Sequence, residues 1–288
     1  MDFVAIDVET ANSDFASICQ IGVVTFRDGK AVEEWRTLIN PEDRFASVNV
    51  SIHGIRAGHV ADAPRYPQIV ERLSVLLSGR IVAHHSAFDR TALARVSHKY
   101  NLLELECHWL DTVKVARRAW PQLKTGGYGL ANLARTFGIG FAHHDAQDDA
   151  RAAGEILIRA IADTGLPLDR WPVRLQSPVQ SAVSNPSSGG NRSRRGNPDG
   201  ALAGEVVVFT GTLSMPRHQA ADLAAEAGCD VSGSVTTKTT LLIVGDLDVR
   251  DRADSEKSSK HRKAEGLIEG GQAIRILAES DFVAIVAT

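Results

Sequence analysis

The sequence predicts two α/β domains joined by a tether, the larger built on a mixed sheet. Three observations carry this. Apolar runs at 3–7, 18–26 and 32–39 come first and read as strands, and helical and strand patterns alternate after them; a hairpin sheet followed by alternating helices and a further strand gives a mixed sheet. The segment 171–200, which ends in SPVQSAVSNPSSGGNRSRRGNPDG, is rich in Ser, Pro, Gly and Asn with almost no apolar periodicity. Such a stretch cannot bury enough surface to offset its ordering entropy and reads as a flexible linker. Beyond it the strand and helix patterns resume up to residue 286. The expected boundaries are therefore 1–170, 171–200 and 201–288, in keeping with about 100–200 residues per domain.

Each element has a local cause. The second and third strands are joined by Arg27-Asp28-Gly29-Lys30, whose Asp-Gly pair is a strong hairpin signal. Ile69, Leu73, Leu76 and Leu77 fall at helical spacing, residues 80–84 read as a buried strand and 89–100 as a helix. Helices also fit 112–120, 130–137 and 146–162. In the last segment, strands are expected at 206–209, 241–244 and 274–277, with helices at 217–227, 257–269 and 279–286.

Composition narrows the function classes. Hydrophobic residues make up 43% and charged residues 23% of the chain, the balance of a soluble protein. No run approaches the ~18 apolar residues of a bilayer span, and the first residues lack the pattern of a signal peptide, so a cytoplasmic protein without membrane contact is expected. Cys19, Cys107 and Cys229 are scattered, which disfavours a disulfide framework or a structural zinc site. Net charge is −3 overall, distributed as −2, +3 and −4 over the three segments. An acidic protein can still act on nucleic acid where bound cations neutralise its site.

Acidic residues gather at element ends in the first domain. Asp7 and Glu9 close the first strand, and at a period of two they leave the same face. Asp89 opens the helix after VAHHSAF, where capping would also favour a carboxylate. In HHDAQDDA, Asp148 aligns with a polar stripe, whereas Asp149 aligns with Ala146, Ala153 and Ile156 on the inward side. An inward carboxylate at a helix start needs a partner. His144 falls in the preceding loop, five residues before Asp149, and His143 or Asp145 could cap the helix. Four carboxylates with one histidine suit Mg²⁺ or Mn²⁺ and, with two ions, phosphodiester hydrolysis with the histidine as base.

The three motifs, D-x-E-T after an N-terminal strand, A-H-x-x-x-F-D and H-x-A-x-x-D, resemble the DnaQ-like exonucleases of the DEDDh type, the family of the DNA polymerase III epsilon subunit. The resemblance covers roughly residues 1–165 and includes Ile52-His53-Gly54-Ile55, which is similar to the family's H-G-I segment. It implies a ribonuclease H-like fold and 3′→5′ release of nucleoside monophosphates from DNA in replication or repair. It further implies two Mg²⁺ (or Mn²⁺) held by Asp7, Glu9, Asp89 and Asp149, with His144 as general base. RNA as substrate is the nearest alternative, because the same acids degrade either polymer; a scaffold with a vestigial nuclease is another. One departure stands out: His85 occupies the place where many relatives carry Asn, and altered strand contacts are expected there.

The segment from Ala201 to Val286 resembles a BRCT domain through VVVFTGTL, SVTTKTTLLIVG and SSKHRKAEGL. That resemblance implies a pocket at Thr210, Gly211 and Lys260, with Arg217 and Lys238 as helpers, for a DNA 5′-phosphate or a phosphorylated peptide of a replication or repair partner. A threonine hydroxyl, lysines and the amides of a helix start suit a phosphate on physical grounds too. The tryptophan common in the last helix of that family is replaced here by Phe282.

Overall fold

Phe3–Thr10 form β1, a strand buried along most of both faces, as suits a central position. Ile18–Arg27 (β2) pair antiparallel with it, and Lys30–Leu38 (β3) pair antiparallel with β2 at an exposed edge. Asp28 and Gly29 both take positive φ, 49° and 74°, the two-residue turn expected between twisted strands. This computed structural model describes residues 1–125, 127–140, 144–176, 194–197, 200, 202–245 and 257–286. Two compact units emerge, Met1–Ser177 and Pro178–Thr288.

The first unit completes its sheet with β4 (Ile81–His84) and β5 (His108–Asp111), both parallel to β1, in the order β3-β2-β1-β4-β5. Its helices are α1 (Ser47–His53), α2 (Ala57–Val60), α3 (Tyr66–Leu77), α4 (Phe88–Lys99), α5 (Thr112–Ala119), α6 (Leu130–Phe137), α7 (Ala146–Thr164) and α8 (Trp171–Gln176). The mixed sheet and the long helices follow the sequence reading. β5 does not, because HWLD is only four residues with polar ends and offers no period to detect.

Helix α7 lies flush on the sheet. Its apolar face, with Ala150, Ala153, Ile156, Leu157 and Ala160, packs in one core with Phe3, Ala5, Val24 and Phe26. Two glycines permit the close approach. A Cβ on Gly22 would stand 2.2 Å from the Ala146 carbonyl carbon, and one on Gly154 would stand 2.3 Å from the Phe26 ring. Gly22→Ala is thus expected to push the start of α7 off β2, at a cost of about 1–3 kcal/mol of overpacking. Chemical denaturation checks this; an unchanged midpoint would mean the helix start is free to shift.

Trp171–Gln176, expected in the linker, instead form α8. Trp171 is 1% exposed in the first unit's core, and Arg118 donates to the Leu175 carbonyl at 3.0 Å. The linker's other end also differs. Arg194 exchanges both backbone hydrogen bonds with Val231, and Asn197 donates to Ala225 O at 2.7 Å. Gly196 sits so near Gly228 that a Cβ would lie 2.0 Å from its carbonyl oxygen. Glycines that read as tether composition here serve close backbone packing. Residues 177–193, 198 and 199, the remainder of the expected linker, lie outside the described residues.

The second unit holds a parallel sheet of β6 (Val206–Thr210), β7 (Asp230–Ser232), β8 (Leu241–Val244) and β9 (Arg275–Ala278), ordered β7-β6-β8-β9. Helices α9 (Arg217–Glu226), α10 (Ser259–Glu269) and α11 (Glu279–Val286) accompany it. Phe282 packs edge-on against Phe209 with centroids 5.6 Å apart and is 1% exposed. This aromatic pair lies in the second unit's core.

Candidate active site

The site forms where β1 and β4 part at their carboxyl ends, the usual crevice of an α/β sheet. Their parallel pairing joins Val4 to Val82 and Ala5 to Ala83. Beyond those pairs the Val8 N–H donates to Asp89 Oδ1 at 3.2 Å. Asp89, the second residue of α4 and 1% exposed, is thereby fastened to the strand segment between Asp7 and Glu9. Those two carboxylates project from the same face of β1 and are half-buried.

Register carries this face across three strands. Asp7 pairs with Gly22 and Gly22 with Arg36; Glu9 pairs with Gln20 and Gln20 with Leu38. Because Gly22 has no side chain, the first turn of α7 rests directly beside the Asp7 row. Gln20 Oε1 accepts the Ala146 N–H at 2.9 Å.

Asp145 is the N-cap of α7, accepting the amides of Gln147 and Asp148 at 3.1 and 3.4 Å. Just before it, His144 adopts φ 70°, a left-handed conformation that turns the chain back toward the helix. Its N–H donates to Asp149 Oδ2 at 3.1 Å. Residues that a continuous helix would place on different faces are thus brought together. Glu9, His144 and Asp149 each offer a ligand atom, and these atoms lie within 4.8 Å of one another. Asp149 is 4% exposed, in keeping with its expected inward placement. A buried carboxylate facing another at this range is a donor set that a divalent cation fits, and the imidazole stands beside it. His143 lies outside the described residues.

Neighbouring groups frame the strand end. Gly54, at φ 74°, ends α1 and lets His53 reach back. His53 Nε2 donates to the Thr10 carbonyl at 3.1 Å and Nδ1 accepts the Ile55 N–H at 3.0 Å, while burial pushes its pKa below the usual histidine value. His53 is therefore a neutral strut under the residue after Glu9. Asn49 Nδ2 donates to the same carbonyl at 2.9 Å. His85 is 4% exposed; its Nε2 faces the Tyr128 carbonyl at 2.9 Å and so carries the proton, and Nδ1 meets Thr112 Oγ1 at 2.8 Å. It links the end of β4 to the start of α5 and the loop before α6. Burial, and after it the charge of Glu9, pushes the Cys19 thiol far up, which keeps it protonated and inert.

In the second unit, Thr210 ends β6 with its hydroxyl 2.6 Å from Ser258 Oγ, and Gly211 turns the chain at φ 72°. Arg217 donates to the carbonyls of Phe209 and Gly211 at 2.8 and 2.7 Å, and Lys260 Nζ donates to Phe209 O at 3.0 Å. Thr210, Gly211, Arg217 and Lys260 are thus gathered at one strand end. Lys238 sits in an exposed turn before β8. Residues 246–256 lie outside the described residues.

The sequence alone did not single out Gln20, Gly22 or Arg36, whose importance arises only once the three-strand register is known.

Comparison with known proteins agrees with the mixed α/β fold. The family described as Exonuclease (RNase_T) matches residues 4–157, and the BRCA1 C Terminus (BRCT) domain matches residues 197–267. The DNA polymerase III PolC-type of Thermotoga petrophila is 32% identical over 163 residues, covering 55% of this chain and 12% of that protein. The protein of the same name from Caldanaerobacter subterraneus subsp. tengcongensis is 30% identical over 164 residues, again 12% of its length. The chain therefore spans only a small part of the curated relatives it matches. Among solved structures, "Exonuclease X in complex with 5′ overhanging duplex DNA" aligns with a TM-score of 0.50 and 27% identity, covering 59% of this chain and 97% of that one. No helix among the described residues is long and apolar enough to cross a membrane.

Proposed function

Because the chain belongs to the exonuclease family and carries a BRCT domain after it, we propose that it removes nucleoside monophosphates from the 3′ ends of DNA by metal-dependent hydrolysis. The observation that carries this is the convergence of Glu9, His144 and Asp149 within 4.8 Å, on the sheet face that also bears Asp7. Relatives named as DNA polymerases, and a similar structure bound to duplex DNA, favour DNA as the polymer.

Asp7, Glu9, Asp89 and Asp149 would hold two Mg²⁺ or Mn²⁺. Such ions supply an acidified water and neutralise charge on the phosphate and the leaving oxygen. The chain's own contribution is positional and protonic. Asp89 is oriented by the β1 amide it accepts, and Asp149 by the amide of His144. The His144 imidazole takes the proton from the attacking water, which needs its neutral form. Digestion of matched 5′-labelled DNA and RNA single strands, with Mg²⁺ or with EDTA, tests the reading. A ladder shortening on DNA with Mg²⁺ alone supports it, equal or faster loss of RNA would make the chain an exoribonuclease, and no cleavage of either would leave a scaffold.

In the second unit, Thr210, Gly211, Arg217 and Lys260 would receive a phosphate, from a DNA 5′ end or a phosphorylated replication or repair partner. Lys260→Ala is expected to weaken binding of 5′-phosphorylated strands about tenfold or more, the worth of one charge-assisted hydrogen bond. Hydrolysis of short single strands should be unchanged. Fluorescence anisotropy with 5′-phosphate and 5′-hydroxyl strands at two salt concentrations checks this, and indifference to the 5′ group would remove the pocket's role.

A further inference from the structure

Resting on this functional reading, the geometry points to Arg36, on the edge strand β3, as a positioning residue for His144 and Asp149. Gly22 lets the start of α7 touch the sheet, but a missing side chain gives contact without direction. Direction comes from polar bonds on either side of it. Gln20 Oε1 holds the Ala146 N–H, and Glu34 Oε2 accepts from Gln147 and Arg151 at 2.5 and 2.6 Å. Arg36 takes the most telling place. It donates to Asp145 Oδ2, while Asp145 Oδ1 accepts the two amides that begin the helix. The N-cap carboxylate is thus clamped between the helix and β3, one residue after His144.

His144 needs that support. Its left-handed backbone costs free energy and persists only where the surroundings over-determine it. Asp149 lies one turn further along the same helix start and is bonded to the His144 amide. Side-chain exposures of 50% for Arg36 and 27% for Asp145 mean that the ion pair adds little to overall stability. Its effect should therefore appear in the alignment of the site rather than in the melting temperature.

The test compares Arg36→Ala, Arg36→Lys, Asp145→Asn and the double variant Arg36→Ala/Asp145→Asn. Asn retains N-cap capacity, so the helix start is preserved. Arg159→Ala serves as control: it breaks an ion pair with Asp163 on the same helix, at 51% exposure, away from the first turn. Measured are kcat and KM on a single-stranded DNA, Mn²⁺ affinity by calorimetry, and melting temperature. Arg36→Ala should lower kcat about tenfold, the scale of a small misplacement of reacting groups, and weaken Mn²⁺ binding, with KM and melting temperature nearly unchanged. Arg36→Lys should recover part of both losses, and the double variant should be no worse than the poorer single one. Wild-type kcat and Mn²⁺ affinity in Arg36→Ala, strictly additive losses, or equal losses in Arg159→Ala would overturn the assignment. Losses that track melting temperature would also overturn it. Were the wild-type chain itself unable to cleave DNA, the functional reading would fall, and the Mn²⁺ arm would still decide the role of Arg36.

Discussion

Asp149→Asn is expected to lower DNA cleavage by about 10³-fold or more, as loss of a group acting as part of a unit does, while leaving the fold at least as stable as before. The reasoning compares two opposed effects. Asn can still accept the His144 amide that now reaches Asp149 at 3.1 Å, so that bond is largely kept. What disappears is repulsion between Asp149 and Glu9, whose ligand atoms lie within 4.8 Å. At that range and an effective dielectric near 20, two full charges oppose each other by about 3 kcal/mol. Hence the metal-free variant should melt no earlier than the parent. Its melting temperature should also cease to rise on adding Mn²⁺, since only a ligand that binds the native state stabilises it. Mg²⁺-dependent turnover near the parental rate, in a preparation free of contaminating nuclease, would contradict the role given to Asp149. Asp7→Asn should behave alike.

The second large effect is expected at His144. His144→Ala should lose roughly 10²-fold or more in kcat, the range of a general base, and still bind Mn²⁺ through the remaining carboxylates. A general base acts only in its unprotonated form, so the parental rate should fall on acidification, and this limb should be missing from the variant. One control is required. Burial lowers the pKa of His53 from 6.5, so the stability it contributes is present above that value and lost as pH falls toward the depressed one. The profile must therefore be read well below the melting temperature at each pH. A healthy His144→Ala enzyme would mean that another group takes the proton.

Two simple periods made part of the candidate site's geometry legible in the sequence, while the grouping of Asp89 and His144 with the other acids came from the resemblance. The strand period put Asp7 and Glu9 on one face, and the helix period put Asp149 inward and Asp148 outward. Periodicity could not reveal that His144 returns to Asp149, because the return depends on a single positive φ. It also could not reveal Gln20, Gly22 and Arg36, which meet α7 only through cross-strand register. Short elements escaped for a different reason. HWLD and DVS are too brief to show alternation, and the Trp171 helix opens with a Trp-Pro pair inside a polar tract. At the other end of that tract, Gly196 and Gly200 were read as flexible composition, but each packs against the backbone near Ala227 and Gly228 where no Cβ would fit.

The most direct test follows one single-stranded DNA, labelled at its 3′ end in one sample and at its 5′ end in another, with the purified chain in Mg²⁺. The 3′ label should appear at once as a mononucleotide while the 5′ label passes through a ladder of shortening strands, and EDTA or Asp149→Asn should stop both. Immediate release of the 5′ label, internal fragments without mononucleotide, or cleavage that persists in EDTA would contradict a metal-dependent 3′→5′ exonuclease centred on Asp7, Glu9, Asp89, His144 and Asp149.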